Sequence, residues 1–128
     1  MAVGAVISRH TKQKEAIRDA IVAADRPLSP EEILAAAQKQ IKSLSLATVY
    51  RNVAVLVRDG WLVSIEFPGM SPRYEVAGKK HHHHFHCNKC DKIFELEGCA
   101  VDLKMRLPKG FRATEHEFFL AGRCASCR

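Results

Sequence analysis

Residues 45–60 read Ser-Leu-Ala-Thr-Val-Tyr-Arg-Asn-Val-Ala-Val-Leu-Val-Arg-Asp-Gly, and this stretch decides the fold. Ser45 is a preferred helix N-cap, and Gly60 is placed to end the helix. Between them, apolar residues recur at the spacing of a helix that buries one face, at Leu46, Val49, Val53 and Leu56. The segment therefore predicts a helix that starts after Ser45 and packs against a core.

The outer face of this helix predicts contact with DNA. Close to its N-terminus the helix carries Thr48, Tyr50, Arg51 and Asn52. A recognition helix presents side chains to the major groove from this position. A small helical core without a DNA partner is the alternative interpretation, and Arg51 or Arg58 could equally be a solvated charge.

Two further helices are predicted before this segment. Residues 11–24 carry apolar side chains in an amphipathic stripe, which indicates the first helix. Ser29, Pro30 and Glu32 form the pattern of a capping box with proline at the first helical position, and the helix they begin is expected to run to about Gln40.

A β-hairpin is predicted after the third helix. Residues 61–67 alternate weakly between apolar and polar, residues 68–69 are Pro-Gly and form a turn, and residues 73–76 can return as a second strand. Three helices followed by a hairpin make a winged helix-turn-helix.

Composition divides the chain into two predicted domains, 1–70 and 71–128. Residues 71–128 contain all five cysteines and six of the seven histidines. Each part is marginal as an independent unit, because a domain of about 60 residues buries only about 60% of its unfolded surface. We therefore expect a metal or a dimer partner to stabilise the fold.

The second domain is predicted to be rich in β-structure. Strands are expected at residues 84–87, 93–97 and 113–121, and one or two helical turns at residues 100–107. The fold class of the whole chain is therefore α+β, with an N-terminal winged helix-turn-helix and a small α/β domain.

The overall composition is that of a soluble globular protein, with 47% apolar and 27% charged residues among 128. No apolar run approaches the roughly 18 residues of a membrane span, and the N-terminus lacks a signal-peptide pattern. A cytoplasmic location without a membrane partner is expected. The net charge of +6 favours a polyanionic partner without requiring one.

Four of the cysteines predict a structural zinc site. They form two C-x-x-C pairs, Cys87 with Cys90 and Cys124 with Cys127. Each pair can clasp one ion, and four thiolates close a tetrahedral zinc site that has no open position. Four unrelated buried thiols are the alternative, and a redox C-x-x-C is a weaker one. Cys99 has no partner at such spacing and is expected in the core.

A histidine run precedes the first cysteine pair and predicts two further metal clusters. Alternate residues of an extended segment share a face, so His82, His84 and His86 are expected to point one way and His81 and His83 the other. Imidazole and carboxylate ligands together suit Zn²⁺, Fe²⁺, Mn²⁺ or Ni²⁺. Any one of these histidines could equally be solvated.

Three motifs in this order resemble the ferric uptake regulator family. They are residues 46–52, the run 81–84 before Cys87-x-x-Cys90, and the terminal Cys124-x-x-Cys127. The resemblance extends over nearly the whole chain. It implies a homodimeric repressor in which a winged helix reads double-stranded DNA, a C-terminal domain dimerises, and a regulatory metal near the hinge holds the two DNA-binding domains in a clamp.

The resemblance also implies two ligand sets. Residues that match the regulatory hinge site of the family are Glu75, His82, His84 and Glu95. Residues that match its second site are His81, His83, Asp102 and His116, although the family more often has an acidic residue at the position of His83. Many members add a histidine just before the second helix, where this sequence has Pro27 preceded by Arg26.

The DNA contacts and the corepressor follow from the same resemblance. Tyr50 matches a tyrosine that approaches thymine methyl groups, and Lys12 lies where a basic residue reaches a minor groove. The expected operator is an AT-rich inverted repeat. The expected corepressor is Fe²⁺ or Zn²⁺, with Mn²⁺ or Ni²⁺ also compatible with the ligands. A peroxide- or haem-responsive regulator is the alternative within the family, and the peroxide sensors have Asp at the position of Glu95.

Two other classes of protein compete with this interpretation. Zinc deaminases combine C-x-x-C with His-x-Glu, but His84-Phe85-His86 lacks the glutamate, and a site closed by four cysteines offers no position for a catalytic water. We therefore do not expect an enzyme. A metal-storage or chaperone protein could use the histidine run, but it would not require a capped three-helix module with a wing.

Overall fold

The computed structural model describes residues 8–98 and 106–128 and shows an α+β fold, as the sequence predicts. Contacts divide the chain into a first unit that ends at Gly78 and a second that begins at Lys79. The division falls eight residues after the predicted boundary at residue 70, because strand Arg73–Val76 pairs within the first unit. In the described part of the chain, no helix is long and apolar enough to cross a membrane.

The first unit contains the three predicted helices, each with a serine N-cap. They are α1 (Arg9–Ala24), α2 (Pro30–Ala37) and α3 (Leu46–Arg58). Both halves of the predicted capping box at Ser29 and Glu32 are present. The predicted end of α2 at Gln40 is wrong by three residues. The amides of Lys39 and Gln40 donate to the carbonyls of Ala36 and Ala37, three residues earlier, which is the hydrogen-bond pattern of a 3-10 turn and not of an α-helix.

One apolar core holds the first unit together. Ile17 of α1, Ile33 of α2 and Val49 of α3 are fully buried, and Leu56 and Leu62 pack with them. The amphipathic stripes of the three helices thus meet as their spacing predicts.

Strands β1 (Leu62–Ile65) and β2 (Arg73–Val76) form the predicted antiparallel hairpin, with Leu62 opposite Val76. Leu28, just before α2, exchanges two backbone hydrogen bonds with Tyr74 at 2.9 and 2.8 Å. The hairpin is therefore fastened to the segment that begins α2.

The second unit is a three-stranded sheet in the order β4-β3-β5. Its strands are β3 (His82–Cys87), β4 (Ile93–Glu97) and β5 (Phe119–Gly122), and a short 3-10 helix, Ala125–Cys127, follows. Strand β3 pairs antiparallel with β4 and parallel with β5. The central strand therefore carries the histidine run, and its last residue is Cys87.

Two predictions for the second unit need correction. The strand expected at residues 113–121 begins only at Phe119, because the preceding His116 and Phe118 are engaged with the side chain of His83 instead of the backbone of β3. Of the helical turns expected at residues 100–107, Arg106 and Leu107 are not helical, and the rest lies outside the described residues.

Candidate metal centres and DNA-binding helix

The four predicted zinc ligands come together at one edge of the second sheet. Cys87 pairs with Gly122 across the parallel strands β3 and β5, so both strands end at the same edge. Cys90 lies in the turn after β3, and Cys124 and Cys127 lie at the 3-10 helix after β5. The four sulfur atoms all lie within 4.8 Å of one another.

The spacing of these sulfurs fits one tetrahedral ion. Four thiolates at about 2.3 Å from a zinc ion are about 3.8 Å from each other. The Sγ atoms of Cys90 and Cys124 are 3.8 Å apart. Because all four positions of such a site are taken by protein sulfur, it can hold an ion but cannot bind a substrate or a water.

The four thiols do not share the same electrostatic environment. The backbone amides of Cys90 and Cys124 point at Cys87 Sγ, at 3.5 and 3.4 Å, and hydrogen bonds from them lower the pKa of Cys87 to about 5. Hydrogen bonding with Cys124, and then burial, raises the pKa of Cys127 to about 12. One sulfur is therefore already suited to the thiolate form, and a bound divalent cation would supply the positive charge that the other three require.

A tight turn aims Cys87 and Cys90 at the same point. Asp91 adopts a left-handed backbone with φ +65°, and its amide donates to the carbonyl of Cys87 at 2.9 Å. Asp91 Oδ1 lies 2.7 Å from His86 Nε2. His86 therefore contacts the cysteine turn, whereas the sequence placed it only on the face of His82 and His84.

The first histidine cluster contains His81, His83 and His116. The Nε2 atoms of His81 and His116 are 3.1 Å apart, close to the separation of two imidazole nitrogens on one ion. His83 is 2% exposed, and burial, followed by the two neighbouring histidines, lowers its pKa. At neutral pH His83 is therefore in the uncharged form that binds metals. Asp102, the fourth residue predicted for this site, lies outside the described residues.

The second histidine cluster lies on the other face of β3, as the alternation predicts. The rings of His82 and His84 are 4.8 Å apart, and Glu95 is the cross-strand partner of His84. Glu95 Oε1 is 3.7 Å from His82 Nε2. Glu75, predicted for the same site, is buried on β2 of the first unit. The second unit alone thus offers two imidazoles and one carboxylate.

The start of α3 exposes some of the residues predicted to contact DNA. Tyr50 is 49% exposed, Arg51 is exposed, and Lys12 is exposed in the first turn of α1. The predicted place of Thr48 on the outer face is wrong, because the residue is 7% exposed and its hydroxyl accepts from Ser45 Oγ and from Arg51 Nη2, both at 3.0 Å. Asn52 is half-buried and donates to the Thr48 carbonyl at 2.9 Å.

The sequence profile of the ferric uptake regulator family matches residues 6–120. A curated relative, the ferric uptake regulation protein of Campylobacter jejuni, is 32% identical over 124 residues, which cover 93% of this chain and 79% of the relative. The chain belongs to the ferric uptake regulator family.

Other members of the family are similar over the same length. The peroxide operon regulator of Bacillus subtilis is 26% identical over 93% of this chain and 83% of its own. Among solved structures, the ferric uptake regulator of Helicobacter pylori, described as having three functional metal-binding sites, superposes with a TM-score of 0.65 at 27% identity. The match covers 91% of this chain and 79% of that one.

Two groups of charged residues in this family member were missed by the sequence analysis. Lys79 Nζ is 3.2 Å from Glu95 Oε2. In the first unit, Glu32 accepts from Arg26 at 2.6 Å and from the buried Arg73 at 3.4 Å. The Arg73–Glu32 and Lys79–Glu95 pairs join residues far apart in the sequence, so no local pattern shows them, whereas Arg26 and Glu32 are only six residues apart. The position of Lys79 between two predicted ligands was a usable signal.

The cysteine geometry leads to a prediction on metal content. We expect purified protein to hold about one tightly bound zinc per chain, and Cys90→Ser to lose the ion and unfold the second unit, because three thiolates no longer close the site. Metal analysis and circular dichroism measure both effects. Cys99→Ser, outside the C-x-x-C pairs, is the matched control and should keep its zinc. A Cys90→Ser protein that is folded and free of zinc would contradict the prediction.

Proposed function

We propose that this protein is a metal-dependent, DNA-binding transcriptional repressor that uses Fe²⁺ or Zn²⁺ as corepressor. The observation that carries the proposal is the distribution of ligands along β3. Its last residue belongs to a closed four-cysteine cluster, and its two faces each contribute to a separate histidine cluster. A closed site suits a structural ion, whereas mixed imidazole and carboxylate ligands bind with the moderate affinity that sensing requires.

The DNA-binding part of the proposal rests on the first unit. We assign α1–α3 and the β1–β2 hairpin to a winged helix-turn-helix, with α3 in the major groove of an inverted repeat. Tyr50 and Arg51 are exposed near its N-terminus, and Lys12 is exposed at the start of α1. Because Thr48 is buried under the Arg51 guanidinium, we propose that it orients Arg51 instead of contacting a base itself.

The proposed homodimer rests on exposed apolar residues in the second unit. Four large side chains there are 42 to 68% exposed, namely Leu107, Phe111, Phe119 and Leu120. Two of them lie on β5, an edge strand of the described sheet. Exposed apolar groups on an edge strand are a site for association with a second chain.

We propose His82, His84 and Glu95 as regulatory ligands, completed by Glu75. The first three are neighbours in the second unit, and the resemblance to the family supports Glu75. The second site is proposed at His81, His83 and His116, and Asp102 rests on the resemblance alone. These ligands suit Fe²⁺ and Zn²⁺, and also Mn²⁺ or Ni²⁺.

The segment before α2 indicates that metal binding raises the affinity for DNA only modestly. Pro27, where many family members have a histidine, is buried and has no side chain that could bind a metal. Arg26 beside it pairs with Glu32. Because this segment supplies no ligand, the regulatory metal has no direct bond to the start of α2. A tenfold rise in DNA affinity requires the metal to bind the closed form about 1.4 kcal/mol more tightly than the open form.

The exposed tyrosine of α3 leads to a prediction on specificity. Tyr50→Ala should weaken binding to operator DNA more than binding to random DNA, because it removes a contact to base edges and leaves phosphate contacts intact. Tyr50→Phe, which keeps the ring, should retain most of the specificity. Titrations of both DNAs by fluorescence anisotropy measure the ratio. Equal losses on the two DNAs for Tyr50→Ala would remove Tyr50 from base reading, and a wild-type protein that binds metal but no DNA would favour the storage alternative.

The histidine cluster leads to a prediction on metal response. Chelator-treated protein should bind operator DNA at least tenfold more tightly after Fe²⁺ or Zn²⁺ is added, and His84→Ala should abolish this gain. His86→Ala is the matched control, because His86 lies on the same strand but pairs with Asp91. DNA affinity that ignores every divalent metal, or a metal response that survives in His84→Ala, would reject the site as the switch.

A further inference from the structure

Lys79 makes a contact at the regulatory cluster that the proposed function does not use. Its Nζ lies 3.2 Å from Oε2 of Glu95, and the two side chains are only 22% and 20% exposed. The other oxygen of Glu95 faces His82 Nε2 at 3.7 Å. One oxygen of this proposed metal ligand therefore faces another proposed ligand, and the other oxygen is occupied by a lysine ammonium.

The lysine and a metal ion compete for the same carboxylate. A divalent ion that bound Glu95 Oε2 would lie about 2.1 Å from that oxygen, so an ammonium that stayed 3.2 Å from the same oxygen would be at most about 5.3 Å from the ion. Two positive charges at that distance repel strongly where solvent screening is reduced. An ion that binds at this oxygen is therefore expected to displace Lys79.

The partial burial of the Lys79–Glu95 pair makes its effect on metal affinity large enough to measure. Exposed ion pairs commonly contribute nothing measurable to stability, because water screens them. Here about four-fifths of each side chain is removed from solvent. The side chain of the next residue, Lys80, is exposed. Lys80 contacts the cluster through its backbone carbonyl, which lies 2.7 Å from His82 Nδ1. Two adjacent lysines of equal charge thus differ in their contact with Glu95.

We propose that Lys79 is an internal competitor of the regulatory metal, which sets the metal concentration at which the site fills. Lys79 is the first residue of the second unit and follows Gly78, whose φ of +80° lies in the left-handed region. The contact between Lys79 and Glu95 joins the first residue of the second unit to strand β4 of the same unit.

This inference rests on the proposed ligands His82, His84 and Glu95. Its test distinguishes a failure of the proposed metal site from a failure of the role given to Lys79. Mn²⁺ titration of zinc-retaining full-length protein is done in a His116→Ala background, so that one exchangeable cluster remains. Lys79→Gln should tighten the dissociation constant for Mn²⁺ about tenfold, which corresponds to about 1.4 kcal/mol. Lys80→Gln should change it less than twofold, and Lys79→Arg, which keeps the charge, should stay near the starting value.

Three outcomes of the titration decide the matter. Equal effects of Lys79→Gln and Lys80→Gln would indicate a general charge effect and overturn the inference. No change, or weaker binding, in Lys79→Gln would also overturn it, while loss of Mn²⁺ binding in His84→Ala would leave the proposed site standing. Unchanged Mn²⁺ binding in His84→Ala would reject the proposed site and the inference together.

A second measurement on unsubstituted Lys79 keeps the inference testable if a variant fails to fold. Pulsed acetylation with mass spectrometry reports the reactivity of each amine. Addition of Mn²⁺ should raise the acetylation rate of Lys79 severalfold as its ammonium leaves Glu95, and should leave the rate at Lys80 unchanged. A Lys79 amine that remains equally protected with Mn²⁺ bound would overturn the inference.

Discussion

The parallel pairing of β3 with β5 is the constraint on which the second unit depends. It brings the two cysteine pairs to one edge of the sheet, although Cys90 and Cys124 are 34 positions apart in the sequence. The unit has about 50 residues, and within its described part only His83, Cys87 and Ile93 are buried. So small a core cannot offset the conformational entropy of the chain by apolar burial alone. An ion held by four thiolates would supply the missing stabilisation.

The same strand carries ligands of the proposed structural site and of the two proposed sensing sites. Its last residue belongs to the four-cysteine cluster, and the alternating direction of its side chains gives one histidine cluster to each face. A fixed ion at the strand end would hold the histidines in register with Glu95 and His116, so that exchangeable metals meet a preformed set of ligands. The proposed sensing sites therefore depend on the structural site, but their own ligands remain free to lose and regain a metal.

The sequence predicts the parts of this molecule that local rules determine. Serine caps and apolar spacing located three helices within a few residues, and strand alternation sorted the histidines into two clusters. What local patterns missed depends on tertiary contacts. Thr48 is buried where a capping serine and Arg51 converge on its hydroxyl, and strand β5 begins only after His116 and Phe118, whose rings pack on His83. The Lys79–Glu95 pair joins residues 16 positions apart and is visible only in three dimensions.

The central claim is that a single ion on four thiolates organises the second unit and so positions the sensing histidines. X-ray absorption at the zinc edge, on protein that retains one zinc per chain, tests this claim most directly because it identifies the ligand atoms themselves. The account predicts a shell of four sulfur atoms at about 2.3 Å. A shell that contains imidazole nitrogens at about 2.0–2.1 Å would contradict it, since the retained ion would then occupy the histidine clusters.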